Sequence, residues 1–143
     1  MKTTFDYSSK TVVVTGASSG LGFAIARGFA RAGANVGMIA LEEDVHDAAG
    51  IINSECPDTA QGYVCDITDR AVVRATLDQF SHIDVLINNA GLELMTPIDE
   101  DGNDVEDKFR RIIDININGT YYVTRDAIPK MQSGGRIIIT ASI

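Results

Sequence analysis

The chain has 143 residues, enough for one domain with a sizeable core, and its 45% apolar and 22% charged residues match an ordinary globular protein. The formal net charge of −8 argues against nucleic acid and anionic membranes as partners, because both favour basic surfaces. No apolar run approaches the roughly 20 residues of a membrane helix, and the first residues show no signal-peptide pattern, so we expect a cytoplasmic protein.

Short β-branched runs alternate with helical stretches along the chain. The predicted strands are 11–16, 35–40, 62–66, the opening of 83–91, and 136–140. The predicted helices are 20–33, 43–54, 69–81 and 104–132, the last with a break near Asn116. This alternation predicts an α/β domain over 1–143, with a doubly wound, Rossmann-type parallel sheet. Ligands of such sheets bind at the carboxyl ends of the strands, so the residues after each strand are the candidates.

Apolar residues at helical spacing predict which helix faces meet the sheet. Leu21, Ile25 and Phe29 share one face of the first helix. In the third helix the predicted stripe is Val72, Thr76 and Phe80, with Val73 and Leu77 beside it. The last strand, RIIIT (136–140), is apolar on both sides and is predicted to be internal.

The segment TGASSGLG (15–22) lies between a predicted buried strand and an amphipathic helix. Its glycines Gly16, Gly20 and Gly22 permit a tight turn and a close approach of backbone to a pyrophosphate, beside the free N–H groups of a helix start. A merely tight strand–helix turn is the alternative. The strand before and the helix after favour a dinucleotide site, and no Lys follows as in the P-loop of NTPases.

Three further motifs contain polar residues at informative places. Asp66 ends the third predicted strand, where its carboxylate either caps the next helix or accepts a hydrogen bond from an adenine amino group. NNAG (88–91) follows the fourth strand and, taken alone, indicates only a turn. Asn116 interrupts an apolar helical stretch, where a buried amide without partners costs roughly 1–3 kcal/mol, so a structural kink is its alternative reading.

In this order, the four motifs resemble the classical short-chain dehydrogenase/reductase family, from about Lys10 to the end of the chain. The resemblance implies hydride transfer between a nicotinamide cofactor and an alcohol or carbonyl substrate. It implies catalytic roles for Asn116, which would hold a water in a proton relay, and for Ser142, which would hold the substrate oxygen. The cofactor residues that it implies are Gly16, Ser18, Ser19, Gly20, Leu21, Gly22, Leu41, Asp66, Ile67, Asn88, Ala90 and Gly91.

The family's Tyr-x-x-x-Lys pair, which supplies the proton, is absent from the sequence. We therefore expect an N-terminal half, truncated after the fifth strand, without the C-terminal strands and the substrate loop. Two other functions stay open. One is a nucleotide-binding regulatory protein without catalysis. The other is an assembly module, because the helix 104–132 carries Phe109, Ile113 and Ile117 on one stripe and resembles the family's dimerisation helix, which also implies a homodimer or homotetramer.

The residues near the expected ribose site favour NAD, with NADP possible. NAD-using members of the family usually carry an acid at the position of Ala40, and this chain has Ala40 and then Leu41. Three carboxylates follow that would repel the 2′-phosphate of NADP: Glu42, Glu43 and Asp44. The same run suits a solvated helix start. We expect no metal site, because Cys56 and Cys65 form no CxxC pair and both histidines are isolated.

Overall fold

The computed structural model describes residues 5–99 and 102–141. The strands are β1 (Thr11–Thr15), β2 (Asn35–Ala40), β3 (Ala60–Val64), β4 (Val85–Asn88) and β5 (Arg136–Ile139). The helices are α1 (Gly20–Arg31), α2 (Asp44–Glu55), α3 (Arg70–Leu77), α4 (Asn103–Ile113) and α5 (Thr120–Ala127). A π-helical turn (Asp114–Gly119) joins α4 to α5, and a 3₁₀ turn (Ile128–Lys130) follows α5. The predicted catalytic Ser142 lies outside the described residues.

The five strands form one parallel sheet in the order β3-β2-β1-β4-β5. The chain runs outward from β1 through β2 to β3 and then returns to place β4 on the other side of β1. This reversal opens a crevice at the carboxyl ends of β1 and β4, which is where ligands of doubly wound sheets bind. The predicted doubly wound, Rossmann-type class is confirmed.

Two apolar cores cover the two faces of the sheet. Successive side chains of a strand point to opposite faces, so Val12 and Val14 pack in one core while Val13 packs in the other. The first core lies against α1 and α2, and the second against α3 and α5. Burying each such valine stabilises the fold by roughly 1.5–3 kcal/mol, so β1 fixes the loop that follows it.

The inner face of α1 differs from the predicted stripe. Leu21 is 59% exposed, and the residues that meet the sheet are the small Gly22, Ala26 and Ala30. Ile25 and Phe29 pack only partly against the core. Periodicity gave Leu21 the wrong side because α1 approaches the sheet too closely for a large side chain at its first turn.

The structure also differs from the sequence prediction in the buried face of α3 and in the end of β3. Around α3 four of the five predicted inward residues are buried, namely Val73, Thr76, Leu77 and Phe80, and only Val72 is not, since it is 37% exposed. Strand β3 ends at Val64 because its pairing with β2 ends there, opposite Ala40. The chain then leaves the sheet, and Asp66 lies in the loop rather than in the strand as predicted.

The break predicted near Asn116 is the π-helical turn. A π turn widens the helix and redirects the side chains in it, and such turns recur at functional sites. Gly119 ends the turn against the loop after β3, where a Cβ would lie 2.7 Å from the Ile67 side chain.

Several large apolar side chains stay on the surface. In the described residues β5 pairs with β4 alone and forms an edge of the sheet, and Ile137, Ile138 and Ile139 are all exposed. That RIIIT is an internal strand of a larger sheet stays a prediction. Phe109, Ile113 and Ile117 are exposed along one side of α4 and the π turn, as the stripe predicted. Among the described helices, none is long and apolar enough to cross a membrane.

Candidate functional site

The glycine loop after β1 contains two kinds of glycine. A Cβ at Gly16 would lie 2.8 Å from Ala90 Cα, and one at Gly22 would lie 2.0 Å from the Gly16 carbonyl oxygen. Both glycines therefore let the loop close on the protein's own backbone, which is a different reason from the predicted approach of a pyrophosphate. Gly20 has a left-handed backbone with φ 55°, and a Cβ there would meet nothing within 4 Å. Gly20 alone of these three faces open space.

The start of α1 can receive an anion. Ser19 precedes the helix in an extended conformation, its hydroxyl caps no backbone N–H, and the first turn holds no acidic residue. The first N–H groups of a helix have no partner within the helix, and they lie at the positive end of its dipole. With the glycine loop beside them, they form a cradle for phosphate oxygens.

Partly buried hydrogen bonds hold the glycine loop to the end of β4. The Thr15 hydroxyl accepts from the N–H groups of Asn89 and Ala90, both at 3.0 Å. The Asn89 side-chain amide donates to the carbonyl oxygens of Thr15 and Gly16, both at 3.3 Å. Sequence reasoning missed both roles, although a Thr directly before a glycine loop and the second Asn of NNAG were visible signals.

The Asp66 side chain does not cap helix α3, so capping does not compete with a ligand for its carboxylate. Its Oδ1 accepts from the N–H and the hydroxyl of Thr68, at 2.9 and 2.7 Å, and so shapes the loop after β3. The cap of α3 is Asp69 instead, which accepts from the N–H groups of Ala71 and Val72. The capping alternative for Asp66 is therefore wrong.

The two other predicted asparagines take structural positions. Asn116 makes two hydrogen bonds to the backbone of Leu92: Oδ1 accepts from its N–H at 2.7 Å and Nδ2 donates to its carbonyl at 2.8 Å. This clamp ties the π turn to the loop after β4. Asn88 is buried beneath the site, where its Nδ2 donates to the Thr124 hydroxyl on α5 at 2.9 Å.

A cavity of about 360 Å³ lies at the carboxyl ends of β1 to β4. It brings together most of the predicted cofactor residues: Gly16, Ser18, Ser19, Leu41, Asp66, Ile67, Ala90 and Gly91. The predicted residues that do not line it are Gly20, Leu21, Gly22, Asn88 and Asn116. Lining residues that the prediction did not include are Asn89, Leu92, Arg111 and Ile115, together with Ile39, Ala40, Glu42 and Cys65.

Three charged side chains line this cavity, namely Glu42, Asp66 and Arg111. The other two carboxylates of the acidic run lie elsewhere, because Glu43 is 3.4 Å from His46 Nε2 and Asp44 begins α2. The preference for NAD therefore loses two of the three charges on which it rested. Arg111 was missed because it lies on a helix far along the chain, and no local motif marks it.

The remaining wall is neutral. Burial raises the pKa of the Cys65 thiol, so this side chain stays protonated near neutral pH and forms an apolar wall beside Ile67. Within residues 5–99 and 102–141, no cluster of His, Cys, Asp and Glu could hold a metal ion.

A family model described as short chain dehydrogenase matches residues 10–143. The chain belongs to the short-chain dehydrogenase family. It is 36% identical to the sorbose reductase sou1 of Schizosaccharomyces pombe, over 100% of this chain and 58% of that protein. The chain thus spans less than two thirds of this relative's length.

Solved structures of the family have the same fold. A short-chain type dehydrogenase/reductase from Mycobacterium marinum matches with a TM-score of 0.86 at 33% identity, over 97% of this chain and 56% of that one. A structure from Beutenbergia cavernae, named for an NAD(P)-dependent gluconate 5-dehydrogenase, matches with a TM-score of 0.86 at 31% identity, over 99% and 57%. That structure contains bound NADP at low occupancy.

Proposed function

We propose that this chain is the cofactor-binding part of an NAD(P)-dependent oxidoreductase that transfers a hydride between a nicotinamide cofactor and an alcohol or carbonyl substrate. The observation that carries the proposal is the cavity at the carboxyl ends of β1 to β4, which brings the predicted residues together beside the uncapped start of α1. Membership of the family supplies the reaction class.

Each part of a dinucleotide has a matching group of residues in the cavity. The glycine loop and the start of α1 would hold the pyrophosphate, with the open space at Gly20, next to the lining residue Ser19, leaving room for it. The carboxylate of Asp66 would accept from the adenine amino group, and Ile67 would pack against the ring. Leu41 borders the space for the adenosine ribose. When bound, the nicotinamide supplies the hydride donor or acceptor.

We propose that NADP can occupy this cavity as well as NAD. Only Glu42 of the acidic run lines the cavity, and Arg111 opposes its charge. The Beutenbergia cavernae structure, at 31% identity, contains NADP.

Asn116 acts by positioning. Its amide holds the backbone of Leu92, and Leu92 lines the cavity, so the clamp fixes the wall next to the reacting groups. The proposed proton relay would use a water held near Asn116. Ser142 would hold the substrate oxygen by a hydrogen bond from its hydroxyl.

The surroundings of the protein are part of the proposal. The exposed stripe of Phe109, Ile113 and Ile117 supports a homodimer or homotetramer, because such apolar surfaces usually contact a partner. The net charge of −8 argues against nucleic acid and anionic membranes as partners. The cytoplasm is the location that we propose.

A matched pair of variants tests the cofactor site. Asp66→Asn removes the carboxylate that lines the cavity, and we expect it to weaken both NAD and NADP by about tenfold, the value of one hydrogen bond to a charged group. Asp69→Asn makes the same change in the cap of α3, outside the cavity, and Asn caps helices as well as Asp does. We expect its affinities to match the wild type in isothermal titration calorimetry.

The chain of 143 residues has no Tyr-x-x-x-Lys pair, so we expect it to bind a dinucleotide without turnover, and the reaction is tested with a protein completed by a segment that carries that pair. Absorbance of the reduced nicotinamide is followed with a panel of alcohols and ketones, including polyhydroxylated ones, since the named relatives act on sorbose and gluconate. Wild-type protein that binds neither dinucleotide contradicts the proposed site. Binding without turnover in the completed protein, over the whole panel, contradicts the proposed reaction and favours a nucleotide-binding regulator.

A further inference from the structure

The glycine loop and the end of β2 contain no cationic side chain that could pair with the 2′-phosphate of NADP. The sequence has no Lys or Arg in 15–22 or in 40–44. The pyrophosphate has its own site at the start of α1, but a 2′-phosphate would lie at the end of β2, beside Glu42. If NADP binds in the cavity, as the proposed function holds, its extra charge needs a cation from another element.

Among the described residues, Arg111 is the one cation that lines the cavity, and it comes from α4. The neighbouring cations of α4 are already engaged: Lys108 Nζ lies 2.6 Å from Asp104 and Arg110 Nη2 lies 2.9 Å from Glu106. Arg111 makes no ion pair with any residue in 5–99 or 102–141. Arg111, which borders the cavity, is therefore available to bind an anion there.

We propose that Arg111 recognises the 2′-phosphate of NADP and so determines the preference of the site for NADP over NAD. A guanidinium presents parallel N–H donors that match two phosphate oxygens, and its long side chain lets it act from a neighbouring helix. The charges of the cavity are consistent with this role. With Glu42, Asp66 and Arg111 the cavity lining has a net charge of −1, and without Arg111 its net charge would be −2. The more negative lining would repel the dianionic 2′-phosphate more strongly.

Two small ligands isolate the 2′-phosphate. Adenosine 5′-monophosphate and adenosine 2′,5′-bisphosphate differ by that group alone, so their affinity ratio measures its recognition without any turnover. We expect Arg111→Gln to weaken the bisphosphate by about 10- to 100-fold, the range for a charge-assisted hydrogen bond or a bidentate pair. The monophosphate should keep its affinity within about twofold. Arg111→Lys keeps the charge without the planar fork, and we expect an intermediate ratio.

Arg110→Gln is the matched control. Arg110 is one residue away on the same helix, and it borders a separate surface cavity with Phe109, Thr96 and Pro97. The substitution makes the same change of net charge, so an effect of long-range electrostatics would appear in both variants. We expect its affinities for both ligands to match the wild type in titration calorimetry.

The other outcomes overturn the inference and separate it from the proposed function. An equal loss of both ligands in Arg111→Gln shows that Arg111 holds the adenosine rather than the 2′-phosphate. Unchanged affinities, or equal effects in Arg110→Gln, remove any specific role. Wild-type protein that binds neither ligand overturns the proposed nucleotide site itself, and the role of Arg111 with it.

Discussion

Two cavities lie at opposite ends of the same strands, and the larger one is not the proposed site. The cavity at the amino ends of β1 to β3 measures about 460 Å³, against about 360 Å³ at the carboxyl ends. Several of its polar groups are paired with one another. Asn53, for example, accepts from the N–H groups of Thr59 and Ala60 and donates to the carbonyl of Ala60. At the start of α1, by contrast, no side chain caps the free backbone N–H groups.

Helix direction explains this difference. In a parallel sheet each strand leads into a helix at its carboxyl end, so helix starts gather at that edge and helix ends gather at the other. The amino-end cavity is lined by Asn53 from the last turn of α2, where the helix dipole presents partial negative charge. A phosphate is attracted to one edge and repelled from the other, whatever the cavity volumes. Unpaired donors and dipole direction, rather than size, identify the site.

The largest effect is expected for Gly22→Val, because the new side chain would meet the Gly16 carbonyl oxygen at 2.0 Å. The glycine loop cannot close on β4 with that side chain present, so we expect the free energy of unfolding to fall by about 3 kcal/mol or more and dinucleotide binding to disappear. Urea unfolding and titration calorimetry measure the two losses. A folded variant with wild-type affinity would show that the loop does not pack as described.

Gly20→Val sharpens the comparison, because it changes the ligand side of the same loop. A Cβ at Gly20 meets no protein atom, so the fold loses only the roughly 1–2 kcal/mol of a left-handed backbone. The side chain enters the space proposed for the pyrophosphate, and we expect affinity to fall by about 100-fold, which corresponds to nearly 3 kcal/mol. Calorimetry on the folded variant measures this loss. Retained affinity would mean that the ligand does not approach Gly20.

Asn53→Ala tests the opposite cavity. The change leaves the backbone groups of Thr59 and Ala60 without the Asn53 partner, and we expect the free energy of unfolding to fall by about 2 kcal/mol. Dinucleotide affinity should stay at the wild-type value in the same titration. A matching loss of affinity would place the ligand at the amino ends of the strands.

The smallest effect concerns Asp84, also near the amino ends. Its carboxyl accepts from the Thr11 N–H at 2.8 Å, and this bond, helped by Lys10, lowers the pKa of Asp84. A lowered pKa stabilises the fold above the unfolded value of about 3.9, and this stabilisation is lost as the pH falls through the folded value. We expect Asp84→Asn to cost about 1 kcal/mol at pH 7 and almost nothing near pH 2, measured by urea unfolding. An equal cost at both pH values would mean that the charge of Asp84 is irrelevant.

The features that could be predicted from the sequence are those that neighbouring residues determine. The strands are apolar runs of β-branched residues, and the glycine loop is a short motif between a strand and a helix, so both could be read from neighbouring residues. The loop position of Asp66 depended on where β3 stops pairing with β2, which no single segment determines. Leu21 was placed on the wrong face because periodicity does not report how closely a helix approaches a sheet.

Arg111 shows the other limit of the sequence. The residue joins Glu42 and Asp66 at one cavity only because α4 returns across the carboxyl edge of the sheet. No spacing rule connects the three positions. The sequence also could not show why positions 16 and 22 must be glycine. Gly16 lies against Ala90 and Gly22 lies against the Gly16 carbonyl, and both contacts depend on how the loop closes.

The central claim is that a nicotinamide dinucleotide binds at the carboxyl ends of the strands. The most direct test is a titration of the ¹⁵N-labelled protein with NADP, followed residue by residue in backbone amide NMR spectra. We predict that the amide shifts concentrate at Ser18, Gly20, Leu41, Ile67 and Gly91, while the amino-end residues stay unchanged. Shifts centred on Asn35, Asn53 and Thr59, or no shifts at a saturating concentration of NADP, would contradict the account.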